Sequence, residues 1–92
     1  MFLYRVKIEE LDAARLLTLK SDLTRGEDAL RAQCPFIEMS LETGGPAELD
    51  ICLALDDVID HGQLQRLAGE LNAMIAAKPS KAARVSSELI HI

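Results

Sequence analysis

The sequence predicts an α+β fold in which helices cover one face of an antiparallel sheet. Three observations predict it: two-residue alternation at the N-terminus, a paired alternation around a Gly-Gly-Pro turn in mid-chain, and helical three-four spacing on either side of that pair. With 92 residues, 49% hydrophobic and 27% charged, the chain has the size and balance of one globular domain spanning residues 1–92.

The first element is a half-buried strand. Phe2, Tyr4, Val6 and Ile8 point one way, and Leu3, Arg5, Lys7 and Glu9 the other. Residues 12–34 are rich in Ala, Leu, Arg, Lys and Glu, which favours helix, with Asp12 as its N-cap and Ala13, Leu16, Leu17 and Leu23 near one face. Thr24-Arg25-Gly26-Glu27 resembles a capping box, so the helix is expected to break or restart near residue 24. A competing reading makes Leu16 to Ser21 a second strand in a hairpin with the first.

Pro35 ends the helical region. From Phe36 to Thr43 the pattern alternates again, with Ile37, Met39 and Leu41 on one face and Phe36, Glu38, Ser40 and Glu42 on the other. Thr43-Gly44-Gly45-Pro46 reads as a turn, after which Leu49, Ile51, Leu53 and Leu55 alternate with Glu48, Asp50, Cys52, Ala54 and Asp56. The two strands form a hairpin with one wet face. Leu64, Leu67, Ala68, Leu71, Met74 and Ile75 then trace an amphipathic helix that ends before Pro79. Ala83 to Ile92 is extended in character, and the adjacent Leu89 and Ile90 leave its inward face open.

The resulting order, strand-helix-strand-strand-helix-strand, is the split βαββαβ arrangement of ferredoxin-like domains: four antiparallel strands with two helices on one face. The first and third strands are expected at the centre, side by side and parallel. Arg5 and Lys7 would then lie across from Glu48, Asp50 and Cys52, with Glu38 and Glu42 extending the acidic patch outward.

Ten basic and fifteen acidic residues give a net charge of −5, and no Lys/Arg stripe is present, so nucleic acid is not expected as a partner. With three aromatic residues, Phe2, Tyr4 and Phe36, a base-stacking platform is not expected either. Arg5 and Lys7 interrupt the N-terminal apolar run, which is therefore neither a signal core nor a membrane span. Cys34 and Cys52, eighteen positions apart, match no metal or redox spacing and read as reduced thiols of a cytoplasmic protein.

Asp56, Asp57, Asp60 and His61 crowd into six positions and raise the question of a metal site. Their place between a strand end and a helix start favours capping instead: Asp57 or Asp60 accepts from the first helical N–H groups, and Gln63 lies three residues after Asp60. His61 and His91 lie thirty residues apart and read as surface histidines. Gly44-Gly45-Pro46 sits in a hairpin and not before a helix, so it is not a phosphate loop. No nucleophile motif surrounds any serine or cysteine, and no cofactor, metal or catalytic residue is expected.

These features point to a non-enzymatic interaction or regulatory domain, homodimeric, that binds a protein partner through its open sheet face or a strand edge. The expected interaction face comprises Leu3, Arg5, Lys7, Phe36, Glu38, Glu42 and Asp50, with Phe36, Leu3 and either Leu89 or Ile90 as a small apolar patch. Phe36 turning inward to plug the end of the core is the competing placement. Two other functions fit the composition: a small dimeric α+β enzyme acting on an organic molecule, and an acidic inhibitor or immunity-type protein that blocks a basic surface.

Overall fold

The computed structural model describes residues 1–45, 47–56, 60–76 and 84–92. Those residues form an α+β fold of seven elements: β1 (Phe2–Glu9), α1 (Ala13–Arg25), α2 (Glu27–Gln33), β2 (Glu38–Gly45), β3 (Glu48–Leu55), α3 (His61–Ala76) and β4 (Arg84–His91). The strands form one sheet in the order β2-β3-β1-β4, and every neighbouring pair is antiparallel.

The central pair β1 and β3 is thus antiparallel, correcting the parallel expectation. A helical crossover returns the chain in its original direction at β2, and the tight hairpin then reverses it, so β3 must run against β1. Register places Val6 opposite Ile51 and Ile8 opposite Leu49, and these four are almost wholly buried beneath the helices. Leu19 and Leu23 from α1, Leu30 from α2, and Leu67 and Leu71 from α3 complete the same core.

The described residues hold three helices where two were expected. Asp12 caps α1 by accepting from the Arg15 N–H at 2.7 Å, and the Leu16–Ser21 hairpin is overturned because that segment lies within α1. The break falls at Gly26, and Thr24 does not cap α2, since its hydroxyl bonds back to the Lys20 carbonyl at 2.8 Å. The approach at Gly26 is close: a Cβ there would sit 2.6 Å from the flexible tip of Met74, Cε, and 3.1 Å from the Asp22 carbonyl oxygen. Leu17 faces solvent at 69% exposure, and its expected place on the core stripe is taken by Leu19. A 100° step per residue explains this, because Leu16, Leu19 and Leu23 share a face that Leu17 leaves.

Arg15 stands on that buried stripe and is only 7% exposed. Its guanidinium donates to the Met74 and Ile75 carbonyls at 3.1 and 3.0 Å, and lies 3.8 Å from the Asp22 carboxylate. It therefore ties α1 to backbone carbonyls in the last turn of α3.

The turn between β2 and β3 is displaced along the chain. Thr43 to Gly45 belong to β2, with a register irregularity between Glu42 and Gly45, and Pro46 lies outside the described residues. Ile37 precedes β2 and is exposed. Asp56 follows β3 and is not part of it. Only Leu67 and Leu71 of the α3 stripe are fully buried, with Leu64, Met74 and Ile75 packed at the margin of the core. Pro79 lies outside the described residues.

Candidate interaction face

The face of the sheet away from the helices is assembled by register. Leu3 of β1 lies between Ala54 of β3 and Ile90 of β4, with Glu38 at the β2 edge of the same row. That row settles the ambiguity of β4: Ile90 is on the open face, and Leu89, opposite Tyr4, is on the helix side. In the next row Arg5 lies between Cys52 and Glu88, and in the third Lys7 lies between Asp50 and Ser86. The face thus changes along its strands from apolar to charged.

Its ion pairs are long and exposed. Arg5 Nη1 is 3.7 Å from Glu88 Oε1 on β4, so its partner is not among the β3 carboxylates. Lys7 Nζ is 4.0 Å from both Glu9 Oε1 and Glu48 Oε2. Such contacts contribute roughly 0–1 kcal/mol each. They orient charge without clamping the face.

Asp50 is the exception. Its Oδ1 is buried and accepts no hydrogen bond among the described residues, although Lys7 and Glu42 flank it in register. A Cβ at position 44 would lie 3.0 Å from Glu48 Oε2 and 3.4 Å from Asp50 Oδ2, so Gly44 leaves room for two carboxylates at this end. A buried acceptor without a donor costs on the order of 1–3 kcal/mol.

Cys52 sits between Arg5 and Ser40. Burial pushes its thiol pKa up; Arg5 opposes the shift, and Glu42 and Glu38 add to it. The protonated thiol extends the apolar end of the face. A shallow depression of about 260 Å³ results, with Leu3, Cys52 and Ile90 on its apolar side and Arg5, Glu42 and Asp50 on its charged side.

Phe36 does not join this face. It is 6% exposed and part of the core, with the Arg31 guanidinium 4.5 Å from its ring centroid and Arg31 Nε donating to its carbonyl at 3.1 Å. The chain is not yet in β2 at residue 36, so strand alternation does not govern the ring, which turns inward and is closed over by Arg31. The remaining expected members, Leu3, Arg5, Lys7, Glu38, Glu42 and Asp50, occupy the open face. Cys52, Ala54, Glu88 and Ile90 join them, and the signal for these was the alternation of β3 and β4 read through the register.

Asp60 stands immediately before α3. Asp60 Oδ1 accepts from the Gln63 N–H at 3.1 Å, and its carbonyl accepts from Leu64 N–H at 3.0 Å. Asp57 lies outside the described residues. Among the described residues no three His, Cys, Asp or Glu side chains form a group that could hold a metal ion. His61 is the exposed first residue of α3, and His91 lies against Phe2 with ring centroids 4.4 Å apart.

No family model, curated protein or solved structure matches this chain. No helix among the described residues is long and apolar enough to cross a membrane.

Proposed function

We propose that this chain is a non-enzymatic protein-interaction or regulatory domain that binds a protein partner through the open face of its sheet. The observation that carries this reading is the depression in which Leu3, Cys52 and Ile90 adjoin the charged side chains of Arg5, Glu42 and Asp50. Apolar side chains beside charged ones suit a partner that brings an apolar side chain and a polar group together. Small-molecule sites are deeper and more enclosed. The flanking ion pairs, weak and exposed, can rearrange at little cost when a partner arrives.

The finer fold is read as ferredoxin-like, a split βαββαβ domain whose first helix is broken at Gly26. Support comes from the antiparallel order β2-β3-β1-β4 and from helices that share one core. Two free cysteines fit a reducing, cytoplasmic setting. A homodimer is part of the proposal, and neither nucleic acid nor membrane is a proposed partner. The test is paired capture from a lysate of the protein's own source, using the native chain and Leu3→Glu as baits. A partner retained by the native bait and lost on the variant supports the reading; equal recovery on both refutes it.

A further inference from the structure

The two edges of the sheet are chemically unlike. On β2 the register shifts between Glu42 and Gly45, and two glycines close the strand; irregularity of this kind blunts an edge against pairing. By contrast, β4 pairs with β1 without irregularity from Arg84 to His91 and contains no Pro, Gly or Lys. No strand pairs with its outer side among the described residues. Val85 and Leu89 lie on the helix side of the sheet, opposite the buried Ile8 and the half-buried Tyr4, yet are 45% and 40% exposed.

The backbone decides which groups face outward. Ile92 N–H donates to the Met1 carbonyl at 2.9 Å, and bonded and non-bonded pairs alternate along an antiparallel ladder. Arg84, Ser86, Glu88 and Ile90 therefore turn their backbone groups toward β1, whereas Val85, Ser87, Leu89 and His91 present theirs at the edge.

We propose that β4 pairs antiparallel with β4 of a second copy of this chain, with Ser87 on the two-fold axis, so that two sheets become one. This pairing rests on the interaction reading above and names the partner at this edge. With Ser87 opposite Ser87, Val85 meets Leu89 of the second copy twice over, and Val85, Ser87 and Leu89 all exchange ladder hydrogen bonds. Arg84 becomes the diagonal neighbour of Glu88 of the second copy, within reach of long side chains. Moving the register one step toward the C-terminus sets Glu88 against Glu88. Moving it the other way sets Val85 against Ser87 and parts Val85 from Leu89. The central register alone joins apolar to apolar and opposes no like charges. The open faces then lie side by side on one surface.

Sedimentation equilibrium of the full chain over a wide concentration range tests this, with Ser87→Pro, Leu89→Glu and Leu3→Glu as variants. Ser87 N–H is not used inside the sheet, so proline there removes an edge donor without breaking a bond to β1. Leu89→Glu leaves the core alone and serves if the proline variant fails to fold. The expected result is a native dimer whose dissociation constant rises by about tenfold or more in both edge variants, with Leu3→Glu unaffected. A dimer that persists in the edge variants and is lost in Leu3→Glu overturns the β4 assignment while leaving the open face as an interaction surface. A native chain that stays monomeric throughout overturns self-pairing, and the paired capture then stands as a separate test of the open face.

Discussion

Arg15 shows how one side chain can join two elements. Its guanidinium holds the Met74 and Ile75 carbonyls from a position on the buried stripe of α1, and charged hydrogen bonds of this kind are worth about 1.5–3 kcal/mol. Arg15→Met is expected to lower stability by that amount in a urea melt. Arg15→Lys should recover only part of it, since an ammonium at the Nη2 position could hold the two carbonyls but leaves no second nitrogen beside Asp22. The two aspartate caps act more locally: Asp12→Ala and Asp60→Ala should each cost about 1 kcal/mol, measured the same way. The thiols supply a pH dependence. Burial, and secondarily the Asp60 charge, pushes the Cys34 pKa up. A folded-state pKa above the unfolded value makes its stabilising contribution complete below the free-thiol pKa of about 8.5 and lost as pH rises through the folded value. Thermal melts from about pH 7 to pH 10 should fall less steeply for Cys34→Ala than for the native chain. Alkylation should reach half-buried Cys52 before buried Cys34.

Helix and strand patterns were legible wherever packing follows period alone. The alternation of β1 and β3 was enough to place Val6, Ile8, Leu49, Ile51, Leu53 and Leu55 in the core, because a strand between two neighbours has one covered face. In α1 the apolar count was misleading: Leu16 and Leu17 are adjacent, only one can face inward, and Leu19 decides which. Leu71→Ala, which empties a fully buried site, should cost about 2–5 kcal/mol. Leu17→Ala should stay within about 0.5 kcal/mol of the native chain. Phe36 was ambiguous for a related reason. Alternation places a residue only once the strand has begun, and whether a strand begins at 36 or 38 depends on tertiary contacts that propensity does not contain. Arg31, from the preceding helix, supplies that contact. The direction of β3 relative to β1, by contrast, follows from counting reversals along the chain, and the parallel expectation miscounted them.

At the scale of the whole molecule, the helices bury one face of the sheet and leave the other to solvent. Sequence alternation identified most of that open face, but not which charges meet. Arg5 turns toward Glu88 on β4 because the sheet order sets β4 beside β1, a long-range fact absent from local pattern. A net charge of −5 favours solubility and slows encounter with acidic partners, so binding through the apolar depression should weaken only modestly between low and physiological salt, whereas binding dominated by the acidic rim would weaken steeply. The most direct measurement is the paired capture, with recovery quantified per mole of bait for the native chain and for Leu3→Glu of matched melting temperature. One protein is expected to be recovered in fixed proportion on the native chain and lost on Leu3→Glu. Recovery of the same protein in equal amount on both would contradict the open-face reading.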